Sequence, residues 1–465
     1  MRQGEKSAKV APESRASSHV VRVMGGITVV ARIVSEDRCD LAKLLGEIDR
    51  ETRSRLPRLQ VVMPFDRIET LHFARLVLLD VELVIVTSFD GSKDRHYKDL
   101  AELLSTAGAG DKRTGFDSVL RYCEGYWNYT GPVAKRIASF LKDHDVGTQT
   151  HFVGAVGLTV QQILEDERLR AKASEELRKV PDGTRAAGAS KVYATVRAAI
   201  AGGLPKEALS PPPNPTGLKK ALASVAYYGG ALAKLGAAAA VLPGIAALYP
   251  VLWQEEWLDA KALERERQAL RLRDRAAQRR EDDETIADMD KLDQRFVPMG
   301  VQKPLTHVAL LKAGLTRSIA LRVALSYVAF RAEYWDDEGS LAGISSIHFA
   351  RWISLPGRRV LFCSDYDGSW ESYIGDFVDE GASGLSAIWS NTRDFPRTKG
   401  LITQGARDER GFKLWVRKHQ IATQVWYSAY PKLSMQRILK NKALRLGLAN
   451  EELEPDQASA WLALV

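Results

Sequence analysis

Cysteine is scarce in this chain: Cys39, Cys123 and Cys363 are the three among 465 residues, widely spaced, with no Cys-x-x-Cys pair. An odd, scattered set argues against a secreted disulfide framework and for a reducing compartment. Residues 1–18 are polar and carry no apolar core, so the sequence predicts a disordered tail there and no secretory signal. Gly-x-Gly-x-x-Gly, a Walker loop, a nucleophile elbow and His-Glu-x-x-His are all missing. Their absence argues against nucleotide-binding, serine-hydrolase and zinc-hydrolase chemistry. Charge imbalance is small as well, 66 Lys+Arg against 58 Asp+Glu for a net +8. With no aromatic-studded basic patch, that excess gives no support to a nucleic-acid partner and suits anionic lipid headgroups equally well.

What the chain does have is an internal duplication. Leu71-His72-Phe73-Ala74-Arg75 leads to Phe89-Asp90-Gly91, and Ile347-His348-Phe349-Ala350-Arg351 leads to Tyr366-Asp367-Gly368. The separation from histidine to aspartate is eighteen residues in one copy and nineteen in the other. Further on, the stretch from Lys142 through His144 to Gln149 answers to Arg417 through His419 to Gln424. Polar residues recurring in register within apolar surroundings mean one domain present twice.

Each copy reads in the same order. The first runs strand Ile27–Val34, helix Asp40–Thr52, strands Leu71–Leu79 and Leu83–Ser88, a helix through Tyr97 to Leu104, and a strand near 148–155. The second runs strand Leu305–Leu311, helix 315–334, strands 347–355 and 359–365, helix 369–380, and a strand near 422–427. This β-α-β-β-α-β order is the ferredoxin-like unit. Both copies append a helix, at 158–164 and 433–439, for which Thr159 and Ser434 are placed as N-caps. The expected fold class is therefore α+β, two tandem ferredoxin-like repeats packed face to face as an α+β barrel. The expected division is a tail at 1–18, the first repeat at 19–178, a linker at 179–223 that is Pro-rich at 210–215, an apolar segment at 224–253, a charged helix or spacer at 254–298, the second repeat at 299–447 and a tail at 448–465.

The apolar segment includes an uncharged run of nineteen residues, Leu235–Trp253, with Tyr227, Tyr228, Tyr249 and Trp253 towards its ends. Its length is near that of a membrane-spanning helix, and its aromatic flanks resemble an interfacial belt. A single crossing would place the two copies on opposite sides of the bilayer, where their sheets could not meet. The expectation is thus a segment that re-enters, dips or lies in the interface, at the cytoplasmic face of a membrane.

Candidate chemistry centres on histidine and aspartate. His72 and His348 stand at matching strand positions; either is a hydrogen-bonded core residue or a group facing a cavity. Asp90 and Asp367 precede glycine, where a turn is the simpler reading for Asp90, and Asp367 has the richer surroundings for a proton shuttle. His144 and His419 sit just before the last strands, placed either to close a helix or to ligate iron. His307 is unmatched, facing Val29 in the first copy, as a residue of an asymmetric site would be.

These phrases carry a resemblance. The tandem units, the Asp-Gly after the third strand and the isolated histidines resemble the dimeric α+β barrel superfamily, which includes dye-decolorizing peroxidases and chlorite dismutases. The phrases Ile347–Trp352, Tyr366–Tyr373 and Thr423–Pro431 look like those of a bacterial group of membrane-associated, peroxidase-like proteins. The resemblance implies a haem peroxidase-like oxidoreductase using peroxide and a reductant. His419, His348 and His307, in that order, are candidate haem ligands, His419 as the iron ligand. Asp367 would be the proton shuttle and Arg351 the fixed positive charge beside the leaving peroxide oxygen. The peroxidases carry Gly-x-x-Asp-Gly; here Thr87 and Ser364 replace the first glycine. The alternative expectation is a non-catalytic barrel that binds a small apolar ligand, lipid or protein partner at the membrane, with a homo-oligomer open in either case.

Overall fold

The computed structural model describes residues 24–54, 62–105, 115–201, 247–262, 275–334 and 339–465, together with isolated positions between 230 and 268. Most of the apolar segment 224–253 and the Pro-rich 210–215 lie outside the described residues, as does the tail 1–18.

The first copy forms β1 (Met24–Arg32), α1 (Arg38–Ser54), β2 (Leu71–Leu79), β3 (Glu82–Asp90), α2 (Lys93–Ser105), α3 (Gly115–Leu120), α4 (Val133–Asp143), β4 (Thr150–Val153) and α5 (Val160–Lys179). Helices α6 (Ala189–Ala201) and α7 (Arg275–Gln294) follow. The second copy forms β5 (Gln302–Leu310), α8 (Leu315–Tyr334), β6 (Ile347–Leu355), β7 (Arg359–Asp367), α9 (Trp370–Asp379), α10 (Ala382–Trp389), α11 (Glu409–His419), β8 (Val425–Ser428), α12 (Met435–Gly447) and α13 (Pro455–Leu462). The protein is a mixed α+β fold whose sheets are antiparallel.

The short last strands do not return to their own copies. The sheets have the orders β1-β3-β2-β8 and β4-β6-β7-β5, so β8 completes the first sheet and β4 the second. In a closed ferredoxin-like unit the last strand runs along the first. The chain begins that way: Val30 donates to the His144 carbonyl and Val146 to the Thr28 carbonyl. At Gly147, in the left-handed region at φ +73°, it leaves and continues as β4 against β6. Likewise Ile421 donates to the Thr306 carbonyl on β5 before β8 pairs with β2. The sheets are thus joined along both seams.

The central strands β2 and β6 are buried on both faces. Helices α1, α3 and α4 pack on one face of the first sheet through Leu41, Leu45, Phe116, Phe140 and their neighbours. Trp370, Phe377, Trp389 and Trp415 do the same for the second sheet from α9, α10 and α11. The inner faces meet through Val77, Leu79, Val84 and Val86 against Ile353, Leu355, Leu361 and Cys363.

Three segments carry more structure than the sequence led us to expect. Within 179–223, α6 packs Val192, Tyr193 and Val196 against α12 and α13, and the tail 448–465 supplies Trp461 to that satellite core. Helix α7 is charged and largely exposed, as expected of a charged helix, and is docked as well: Asp282 pairs with Lys418, while Asp290 and Asp293 clasp the buried Arg417. Acidic residues spaced along one helix reached the basic end of α11, a docking that composition alone could not indicate.

Asp145 locks α2 to the first seam. Its carboxylate accepts from the Thr28 and Gly147 amides, Tyr97 and Lys93. Burial raises the acid's pKa, and these donors more than offset that, leaving it below the ordinary carboxylate value. A depressed folded-state value stabilises the protein above the unfolded carboxylate pKa, about 3.9, and that stability is lost as pH falls through the folded value. Asp145→Asn is expected to cost about 1–3 kcal/mol at neutral pH and to flatten the acid limb of stability below about pH 4. Urea denaturation across the acid range checks this; an unchanged acid limb would refute it.

Candidate functional site

The two repeated histidines are brought to one place by backbone irregularity. Pairing of β2 with β3 shifts register between Leu71 and Phe73, and β6 with β7 between Ile347 and Phe349. His72 and His348 are therefore the extra residues of two bulges, which re-aim a side chain out of strand alternation. Each turns to the aspartate at the end of the neighbouring strand. His72 Nε2 lies 2.9 Å from Asp90 Oδ1 and His348 Nε2 2.8 Å from Asp367 Oδ1.

The second oxygen of each aspartate is used as well. Asp90 Oδ2 accepts from the Val160 amide and Asp367 Oδ2 from the Met435 amide, the first residues of α5 and α12. The N-caps beside them are Thr159 and Ser434, accepting from the Gln162 and Arg437 amides. A carboxylate at a helix N-terminus satisfies an orphan N–H and complements the dipole. Gly91 and Gly368, at φ +93° and +88°, make the turn that follows. Both Asp-Gly pairs are turns, and both also tether a histidine to a helix.

The copies differ at one ring nitrogen. With Asp90 accepting at Nε2, His72 Nδ1 takes the hydroxyl proton of Tyr430 at 2.7 Å. Tyr430 aligns with Ala155 in the first copy, so among the described residues no matching hydroxyl reaches His348. Phe73, Phe349, Trp426 and Tyr430 fill the space between the pairs. Burial and the nearby carboxylates Asp90, Asp365 and Asp367 raise the Tyr430 phenol well above its ordinary value, so it stays protonated.

Arg351 also has a structural place. It projects between the sheets and donates to the Ile27 and Thr87 carbonyls at 3.1 Å and to Ser88 Oγ at 2.6 Å. Gly26 leaves it room: a Cβ there would come within 2.5 Å of the guanidinium. Its counterpart Arg75 crosses the other way, to the Leu305 and Ser364 carbonyls, Thr306 and Asp365. The copies diverge in charge, because Arg75 meets Asp365 where Arg351 meets Ser88. Burial, with the Arg75 charge acting in the same direction, brings Arg351 down to about 10 against the opposing pull of Cys363 and Asp365. For Arg75, burial is outweighed by Asp365 and the pKa rises. The Arg75–Asp365 pair, to which Trp426 Nε1 also donates, went unnoticed in the sequence. Its signal was the shared Phe-Ala-Arg.

His144 and His419 close their helices. Each donates Nδ1–H to the carbonyl four residues back, Phe140 or Trp415, at 2.9 Å. His307 differs from all of these. It is buried, neither ring nitrogen has a hydrogen-bond partner among the described residues, and burial, with His419 adding to it, holds its pKa well below the ordinary imidazole value. Trp415 and Trp389 flank it at ring separations of 4.5 and 4.9 Å, and His419 lies at 5.7 Å. The cavity beside it, lined by Phe362, Phe377, Trp389, Phe412 and Trp415, measures about 20 Å³.

That set does not fit a haem. Space of this size admits a single water, whereas cofactor pockets run to roughly 300–1,000 Å³. His348 is committed at Nε2 to Asp367, Arg351 is spent on backbone carbonyls, and Asp367 has both oxygens engaged. His307 and His419 come together, but His348, Asp367 and Arg351 lie on other parts of the second sheet. Among the described residues no group of three or more His, Cys, Asp or Glu is poised around a common point to hold a metal ion.

Comparison with family models, curated proteins and solved structures finds no match for this chain.

His307 supplies a direct test of its own role. His307→Leu keeps the volume and removes two unsatisfied nitrogens, so stability is expected to rise by about 1–2 kcal/mol. Chemical denaturation reads this out, and a loss of stability would mean that the imidazole has a partner under native conditions.

Proposed function

We propose that the chain is a non-catalytic scaffold at the cytoplasmic face of a membrane. In this reading its two ferredoxin-like repeats close as one α+β barrel, and the apolar segment between them associates with lipid. One observation carries it: the polar residues that recur between the copies make the same structural bond in both. His72 and His348 hold aspartates; Asp90 and Asp367 hold helix N-termini. Gln149 and Gln424 accept from the Ser354 and Leu78 amides of the opposite copy. A catalytic residue is needed once; a residue needed twice in one role serves the architecture.

The closed barrel is supported by the two seams, where 144–146 and 419–421 bond to β1 and β5 before crossing. Membrane association is supported by the uncharged run Leu235–Trp253. Among the described residues no helix is long and apolar enough to cross a bilayer.

The test is a pair of measurements on the full chain expressed with ample haem. The scaffold reading expects flotation with lipid vesicles and only weak, superstoichiometric haem binding. A sharp, stoichiometric Soret band that disappears in His419→Ala, with peroxide-dependent oxidation, would replace it with the peroxidase-like reading.

A further inference from the structure

Residues 247–262 are helical and take in the last seven residues of the uncharged run Leu235–Trp253. One face is fastened to the second copy by carboxylates. Glu255 pairs with Thr316 and Arg317, Asp259 with Lys312 and Arg317, and Glu256 accepts from Thr398 and the Gly400 and Leu401 amides. Leu252 is buried with them. Spacing of four residues then sets Tyr249, Trp253 and Trp257 along an adjoining flank, 51%, 58% and 48% exposed. Lys261 lies over the Trp257 ring at 3.6 Å.

Neighbouring elements extend this surface. The hairpin of Thr398–Lys399 with Thr403–Gln404 presents exposed Ile402 between its strands, with Arg397 and Lys399 exposed beside it. Leu315, at the start of α8 and next to Thr316, is 76% exposed. Half-buried Trp and Tyr in a row, flanked by aliphatic side chains and Lys/Arg, have the composition of a headgroup-level contact. Protein partners take up aromatic residues too, but the stripe continues an uncharged run of nineteen residues, and the basic hairpin complements anionic lipid.

We infer that the helix 247–262 is an interfacial anchor that lays Tyr249, Trp253 and Trp257 in the headgroup region of an anionic bilayer, its tilt set by the Glu255, Glu256 and Asp259 contacts. This rests on the membrane reading above and adds to it the face and the orientation. The second sheet is held rigidly against the surface by ion pairs, rather than swinging on a tether.

The experiment is flotation of the full chain with phosphatidylcholine vesicles containing or lacking phosphatidylserine. Wild type is compared with a Trp253→Ser/Trp257→Ser double variant and with Trp127→Ser, a control at another exposed tryptophan. The anchor expects a drop in partitioning of about tenfold or more for the double variant, none for the control, and thermal melting unchanged in both. Quenching of wild-type fluorescence by lipids brominated near the headgroup, which needs no variant, is expected as well. If wild type does not float, the membrane reading itself fails. If wild type and double variant float alike without quenching, the anchor is wrong and the membrane reading stands. Loss of self-association in the double variant, with flotation kept, would assign the face to a second copy and overturn the anchor.

Discussion

Arg75→Met is expected to cost about 3–5 kcal/mol, and Arg351→Met markedly less. The two arginines occupy equivalent positions and are buried to the same degree. Their difference lies in what each would leave behind. Removing Arg75 strands the Asp365 carboxylate between the sheets, with the Trp426 indole N–H alone among the described residues still donating to it. Removing Arg351 takes a donor from two carbonyls of the β1–β3 ladder, a serine hydroxyl and His151 Nε2 and relieves a buried cation that, among the described residues, has no carboxylate in hydrogen-bonding contact. Methionine fills most of the arginine stem's volume, so the comparison isolates charge. Urea denaturation of the two variants and of Arg75→Met/Asp365→Asn would measure it. Partial recovery in the double variant is expected, because the stranded charge is gone. Equal losses at Arg75 and Arg351 would contradict this account.

Neither half of the chain is expected to fold alone. A fragment of residues 24–201 keeps three strands of its sheet but lacks β8, and the groups that satisfy Arg75 belong to the other half. A fragment of residues 275–465 lacks β4 and the carbonyls that receive Arg351. Each would expose the inner face that the other covers. Co-expressed, the fragments are expected to co-purify as a complex and to give one cooperative denaturation transition. Separately, each is expected to aggregate or to show no cooperative transition. A single fragment with a steep, reversible transition would mean that strand exchange is not essential to folding.

Much of this architecture was legible in the sequence. Strands β2, β3, β6 and β7 are nine residues long and rich in apolar residues, and tight turns separate β2 from β3 and β6 from β7. The caps Thr159 and Ser434 announced α5 and α12. The destination of β4 and β8 could not be read. Four residues are too few to specify one sheet, and the choice is made by edges contributed from hundreds of residues away. The candidate site was legible as positions, while its bonding was not. His72, His348, Asp90 and Asp367 were found because they recur, and in the structure each makes the same hydrogen bonds in both copies. The departures from repetition were quieter: Tyr430 against Ala155, Asp365 against Ser88, His307 against Val29. Each became meaningful only when the partners were in place.

The stitched seams bear on how another polypeptide could take hold of this protein. A sheet with a bare outer strand invites a visiting segment to add itself by main-chain hydrogen bonds. Here the middles of the outer strands β1 and β5 are already occupied by 144–146 and 419–421, and β2 and β6 are covered by borrowed strands. Main-chain addition is thus left to the short borrowed strands β4 and β8 and the ends of β1 and β5. The same closure shields the nine-residue strands from the edge-to-edge association that leads to aggregation.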